Sequence, residues 1–437
     1  MSTVAAPTHP LLAGAEAVAD SGRAGFLSDI RRHAAERFEA LGVPTRRTEA
    51  WRFTGIARLA DEPRTLAEPG LKLSADALPT AEGRRVVLVD GWLREELSDL
   101  GSLPDGVVAC SLDAAAEDRR SLVEAHLARH DELADHPFVA LNTARFRGGL
   151  LLWIPDGTAI EEPIEVLLVA GAPDRPTLVV PRVLVVAGRN SRAQVIQRSV
   201  GGNSQTLSCS VTELVLGDGA VLRHLLTQED HPEAAHVAAT EARQQRDSAL
   251  SSSVVSTGGG LVRNDLAVAL LGPGADATLD GLYMVSGKRH VDNQLRVHHT
   301  QPNCTSRQLY KGVLDDAARA VFNGRIVVDP GAQKTDARQS NRNLLLSDSA
   351  LVNSNPQLEI FADDVRCTHG STVGRLDEDA VFYLRSRGLG LAAAETLLTW
   401  AFAAEVVDRI PVEAVRRRVT ETVLSRLPGS LPVGELE

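Results

Sequence analysis

The spacing of apolar and polar positions changes texture twice along this chain. Residues 24–41 ("AGFLSDIRRHAAERFEAL") carry Phe26, Leu27, Ile30, Ala34, Phe38 and Leu41 at the three- and four-residue intervals of a single helical face. Gly42 and Pro44 follow as stop signals. Up to about residue 135 a short strand pattern (84–93, "RRVVLVDGWL") mixes with a helical segment near 112–130. The spacing therefore predicts a mixed, mainly helical N-terminal region over 1–135. From about 148 the period shortens. Runs such as "LLLWIP", "IEVLLVAG", "RVLVVAG", "SVTELVLG", "LAVALLG", "QLRVHHT" and "RIVVD" recur, and helix-length patterns almost vanish for some two hundred residues. Small turns separate them, several ending in alanine: "PDGTA", "GDGA", "GPGA", "DPGA" and "SDSA". Gly and Asp supply the left-handed or Asx geometry that such corners need.

Many short strands without intervening helices predict a mainly β core over 136–376. A sandwich would show hairpins with Asn-Gly or Asp-Gly turns between clearly alternating strands, whereas a parallel β-helix stacks short strands coil on coil with irregular corners. The Ser-rich stretch "QQRDSALSSSVVSTGGGLVRND" (244–265), interleaved with Val and Leu, fits β-helix coils better, although no exact repeat is present. After residue 376 helical spacing returns and marks a C-terminal helical domain over 377–437. Leu391, Ala394, Leu397, Leu398, Ala401, Phe402 and Val406 are expected to form one buried face. Pro411 opens a further helix with Val412, Val415, Val419 and Val423 in register.

Composition narrows the function classes. A length of 437 residues implies two or three structural regions, and 43% hydrophobic with 24% charged residues is ordinary for a folded soluble protein. A net charge of −11 argues against a general nucleic-acid binder, since phosphate binding needs a basic surface. Cys110, Cys209, Cys304 and Cys367 are widely separated and form no CxxC pair, which suggests a reducing compartment rather than a disulfide framework. Residues 1–25 lack a basic segment followed by an apolar run, so no secretory signal is expected. The longest apolar stretch, 389–407, is interrupted by Glu395 and Glu405 and is short for a bilayer. A cytoplasmic protein without membrane or nucleic-acid partners is the expectation.

The chemistry-bearing positions are few. In "DDVRCTHGSTVG" (363–374), Val365, Cys367, His369, Ser371 and Val373 would share one face of an extended strand. Thiolate and imidazole both ligate soft or borderline metals, but two ligands do not complete a tetrahedral site, so other strands or another chain would have to contribute. A small buried cysteine beside a histidine bonded to a backbone carbonyl is the competing reading. His298 and His299 are adjacent and would point oppositely; with the isolated His224 and His236, they read as surface polar residues. Tyr310 and Lys311 in "LYKGVLDD" read as a solvated corner. "GLYMVSGKR" (281–289) has five residues between its glycines, not four, and Arg289 where a phosphate loop needs Ser or Thr. Nucleophile-elbow, HExxH and dinucleotide-binding signatures are missing.

Three stretches together resemble the SufB/SufD family of iron–sulfur cluster assembly proteins, and SufD more than SufB. They are "GVPTRRTEAWRFTGI" (42–56), the long run 333–389 containing "RCTHGST", and the helical tail. The Gly-Asp-Arg-Cys-Gly and Glu-His-Glu contexts of SufB are replaced here by "RNLLLSDSALVNS" and by the single His369. The resemblance implies a right-handed parallel β-helix core flanked by helical regions, and a non-catalytic scaffold subunit. It implies a heterodimer with SufB through the β-helix, a SufC ATPase docked on the C-terminal helices around 396–418, and pairing of the chain with itself when SufB is absent. Cys367 and His369 map to the metal-binding positions near the SufB interface, where iron or a nascent Fe–S cluster would be shared. Reduced flavin is associated with the family complex, but no motif for it is found in this chain. The competing classes are a purely structural adaptor and a β-helix carbohydrate-active enzyme, which would need clustered carboxylates on one coil face.

Overall fold

The computed structural model describes residues 9–20 and 25–427. Consecutive core strands alternate between two sheets, one of 11 and one of 10 strands, and pair parallel with the strand one coil before and one coil after. The first sheet holds Leu150–Ile154, Arg182–Ala187, Thr206–Leu216, Ala235–Gln244, Leu261–Leu270, His290–His299, Arg319–Val328 and Leu351–Ile360. The second holds Ile164–Ala170, Arg192–Gly201, Val221–Asp230, Ala249–Ser256, Asp276–Val285, Thr305–Leu314, Asp336–Leu345 and Arg366–Gly374. The result is a parallel β-solenoid of about eight coils with helices at both ends of the chain, as the strand texture predicts. Coils are unequal: Ala235 pairs with Leu261, 26 residues on, whereas Arg319 pairs with Leu351, 32 residues on. Unequal coils explain why no exact repeat is readable.

Corners repeat even where the sequence does not. Asn190, Gly219, Asp247, Gly274, Asn303 and Lys334 all adopt positive φ, between 52° and 76°. Each donates its backbone N–H to a carbonyl of the next coil, as in Gly219 to Arg246 and Asp247 to Pro273. One left-handed residue per coil is thus what the recurrent Gly/Asx positions provide. The alanines that close these turns, Ala220, Ala275, Ala332 and Ala350, are buried where the corner meets the core.

Part of the lumen is apolar, with Val166, Leu214, Val185, Val268 and Leu279 in one cluster. The same coils also carry buried polar groups inside, Gln197 and Thr212 among them. His224, His236 and His299 lie inside, contrary to the surface placement expected for them. They bond to Ser252, Ser210 and Ser306 at 3.1, 2.9 and 2.9 Å. Burial pushes His224 and His299 down to about 4, so both are neutral at pH 7. His298 points outward instead, between two carboxylates. Tyr310 and Lys311 are likewise not on a solvated corner: both are buried on the Thr305–Leu314 strand. Tyr310 faces the lumen over Gly281, and Tyr283 lies over Gly312; a Cβ at either glycine would sit 2.2 or 2.1 Å from the ring. Lys311 faces outward, where the C-terminal helix covers it.

That helix, Leu391–Val407, packs with Glu413–Leu424 on the outer face of the second sheet, against Ile196, Leu225, Val255, Leu282 and Leu309. Its buried face is Ala394, Thr396, Thr399, Trp400, Ala403, Val406 and Val407, rotated from the predicted one; Leu391 and Ala401 are exposed. The helix is apolar on nearly every side, so periodicity could not choose. Trp400 and Lys311 did: Lys311 Nζ donates to Phe402 O at 2.8 Å and pairs with Glu405 at 2.5 Å. Val415, Val419 and Val423 are buried as expected.

The N-terminal helix runs Gly25–Leu41 and buries Leu27, Ala34 and Phe38, with Gly42 at φ +66° ending it. Ala24, residues 1–8 and residues 428–437 lie outside the described residues. So do residues 21–23; with Ala24 and residues 1–8 they make up 12 of the 25 positions in which no secretory signal is expected. The N-terminal region also feeds the solenoid, since Arg84–Val89 pairs parallel with Ile164–Ala170 and Val108–Cys110 antiparallel with Leu150–Ile154. Among the described residues no helix is long and apolar enough to cross a membrane.

Candidate functional site

The site expected at 363–374 is the last coil. Arg366–Gly374 and Leu351–Ile360 each end their sheet, with one neighbouring strand apiece among the described residues. Cys367 pairs with Ala337, His369 with Gln339, Ser371 with Asn341 and Val373 with Asn343. Ala337, Gln339, Asn341 and Asn343 are all buried inside the solenoid. Because parallel in-register strands keep one face in common, Cys367, His369, Ser371 and Val373 stack on these lumen positions. The predicted shared face is therefore present, at the mouth of the coil stack, where His369 is exposed and Cys367 half-buried.

The two groups differ in surroundings. Cys367 packs against an apolar cluster of Ile326, Val328, Ala332, Ala337 and Ala362. Burial pushes its thiol up from the ordinary value, so it carries its proton at neutral pH until a cation offsets that cost. Deeper in the mouth a polar stack begins. Ser371 Oγ donates to Ser354 Oγ (2.8 Å), Ser354 to Asn341 Oδ1 (2.8 Å), and Asn341 Nδ2 to the Tyr283 hydroxyl (3.1 Å), which itself donates to Asn343. Among the described residues no group of three or more His, Cys, Asp or Glu is placed to hold a metal ion. The rim is apolar: Leu351, Ile360, Phe361 and Val373 are 47, 40, 62 and 50% exposed. Just beyond it the helix Glu378–Ser386, capped by Asp377, buries no side chain and exposes Phe382 and Tyr383.

The Trp51 segment proves to be a clasp, a role the sequence did not reveal. Trp51 is buried with the Arg263 guanidinium 3.7 Å above its ring. Arg263, on the outer face of the first sheet, bonds both oxygens of Asp265 at 2.7 Å, Asp292 at 2.8 Å and Ala50 O at 2.6 Å. Thr54 donates to Asp292 at 2.5 Å and His136 meets Asp265 at 3.1 Å. Burial alone would raise Asp265, but Arg263 and His136 overcome it and hold the carboxyl well below its usual range. An Arg-x-Asp pair on a strand was the only available signal. Beneath this segment lies a cavity of about 320 Å³ walled by Pro44, Trp51, Leu133 and Pro137 over Arg296 and Arg325. Both guanidiniums are already paired, with Glu132 and Glu359 at 2.6 Å.

Comparison with known proteins agrees with this architecture. The family model described as the SUF system FeS cluster assembly SufBD core domain matches residues 169–402, and the SufBD protein N-terminal region matches 9–166. This chain belongs to the SufBD family. Among its relatives is an iron–sulfur cluster assembly SufBD family protein of Synechocystis, 32% identical over 92% of this chain and 91% of the relative. The iron–sulfur cluster assembly protein SufD of Escherichia coli is 31% identical over 89% of this chain and 90% of its own length. The Bacillus subtilis protein of the same name is 27% identical over 91 and 93%. Within the SufBD frame the mouth strand lies inside the core-domain match and the Trp51 clasp inside the N-terminal one. Family membership places the chain in iron–sulfur cluster assembly, and the carbohydrate-enzyme reading is set aside.

Proposed function

We propose that this chain is a SufD-type scaffold subunit of the cytoplasm. It pairs with a SufB-type partner through the open end of its solenoid and lends Cys367 and His369 to iron or a nascent cluster shared between the two chains. The observation that carries the reading is the stacking of those two side chains at the mouth of a coil with an unpaired edge. A partner strand added to that edge would satisfy its free N–H and C=O groups and cover the apolar rim, the usual remedy for an exposed edge. It would also bring the partner's own side chains within reach of the sulfur and the imidazole, supplying the ligands that one chain lacks. Iron approaching Cys367 would stabilise the thiolate that burial disfavours. The isolated chain would use the same edge to pair with itself.

The ATPase belongs to a SufC-type partner seated on the C-terminal helices, where Phe382 and Tyr383 are exposed. A pull on Leu391–Val407 would reach the solenoid through the Lys311–Glu405 and Arg409–Asp280 pairs. Flavin receives no residues in this scheme. A purely structural adaptor is the second reading, favoured by the apolar packing of Cys367. The test is anaerobic co-purification with SufB- and SufC-type partners, followed by iron and sulfide analysis. His369→Ala should lower the cluster yield severalfold while leaving the complex intact. A normal yield would remove the metal role and leave the adaptor.

A further inference from the structure

We propose that Gln339 is the positioning residue for His369: its amide oxygen accepts the N–H of one ring nitrogen and leaves the other nitrogen, with its lone pair, to face the mouth. The proposal takes its purpose from the metal role of His369 argued above, but its geometry stands separately.

Four observations converge. Gln339 is the ladder partner of His369, one coil below on the same lumen face. Neighbouring strands lie about 4.8 Å apart, within reach of a glutamine side chain. The Gln339 amide is tethered at one end, since Nε2 donates to Gln308 Oε1 at 2.7 Å. Its other end, Oε1, is buried without a hydrogen-bond partner in a residue only 3% exposed. Finally, the opposite wall is cut away for this side chain. Gly324 faces it from the first sheet, and a Cβ there would lie 2.3 Å from Gln339 Nε2 and 2.6 Å from Cδ.

Gln308 and Gln339 are thus two stacked amides, the upper one donating to the oxygen of the lower, whose own Nε2 is buried without a partner. Position 369 is the next in the stack. A third glutamine would extend the stack with its N–H₂; histidine extends it with a ring N–H, and unlike glutamine it then has a second nitrogen left over. The other inward groups of the last strand are engaged elsewhere, Ser371 with Ser354 and Cys367 with the apolar cluster. A neutral imidazole has one N–H and one lone pair, so an acceptor fixed beneath the ring selects the tautomer.

The experiment uses the full chain, free of iron, labelled with 15N-histidine, at a pH where the ring is neutral. Long-range 1H–15N correlation spectra report the tautomer ratio, and His369→Ala assigns the signal. One tautomer should dominate in the unsubstituted chain by about fivefold more than in a free side chain, the factor one net hydrogen bond supplies. Gln339→Met keeps the length without the acceptor and should return the ratio to the free value. Gln339→Glu keeps an acceptor and should preserve the preference. Gly324→Ala, which displaces the amide without touching its chemistry, should act like Gln339→Met. Unchanged signals from the remaining histidines show that the fold is intact. A free-histidine ratio in the unsubstituted chain, or equal effects of Met and Glu, would overturn the proposal. Iron analysis of the same variants separates the two readings. A tautomer ratio that Gln339→Met returns to the free value, together with a normal cluster yield in His369→Ala, keeps the positioning and removes the metal role.

Discussion

Replacing Arg263 by methionine removes the centre of the clasp that holds the N-terminal region on the solenoid. The guanidinium is 1% exposed and serves two carboxylates, Asp265 and Asp292, themselves only 6 and 0% exposed. Deleting one partner of a buried charge pair costs about 3–5 kcal/mol, because the other charge stays buried and unpaired. The stacking on Trp51 adds about 2 kcal/mol when desolvated, but the terms share one side chain and do not sum. A loss of about 4 kcal/mol at pH 7 is expected, read by urea unfolding. The loss should appear first as protease sensitivity around 42–56, where Ala50 O, Trp51 and Thr54 hold the clasp. The sign with pH is diagnostic. In the unsubstituted chain Asp265 is held below its unfolded value of about 3.9, so its contribution is present above that pH and fades as pH falls through the folded value. In the variant the two carboxyls keep His136 and Thr54 as partners but lose the guanidinium. They should take up protons more readily than in the unsubstituted chain, so the deficit should shrink between pH 7 and pH 4. A loss under about 1.5 kcal/mol at pH 7, or a deficit that grows on acidification, would refute the reasoning.

Two further outcomes follow from the same contacts. His298 lies between Glu132 (2.6 Å) and Asp329 (3.0 Å), and the hydrogen bond to Glu132 leads in raising it to about 8. Its contribution, about 1 kcal/mol after allowing for solvent screening, should be present below about pH 6.5 and lost as pH rises through 8. The difference in thermal midpoint between the unsubstituted chain and His298→Gln should therefore vanish by about pH 9. Lys311→Met should cost about 1–2 kcal/mol through the lost bond to Phe402 O and the Glu405 pair. It should also raise proteolysis in the 387–390 link to the C-terminal helix, and an unchanged cleavage rate would contradict the role given to Lys311.

The solenoid was legible because its strands, corners and flanking helices each carry local signals. Four of the five turns ending in Ala marked packed corners, Ala159 being exposed, and the i, i+2 spacing correctly put Cys367 and His369 on one strand face. What escaped was which face is inside. Alternation assigns residues to two faces of a strand but leaves their environment open, and in a polar lumen the usual rule that polar means outside reverses. His224, His236, His299 and Tyr310 were misplaced for that reason, and Lys311 because a distant helix covers an outer face.

The residue order alone was enough for the chain's α, β, α plan, its coil corners and the two-residue spacing of the mouth pair, since these rest on backbone preference and short-range periodicity. Lumen and exterior, the Trp51–Arg263 clasp across 212 residues of chain, and the pairing of Gln339 beneath His369 came from the stacking of unequal coils. Contacts of that kind depend on how many residues each corner consumes, a quantity that no local pattern encodes.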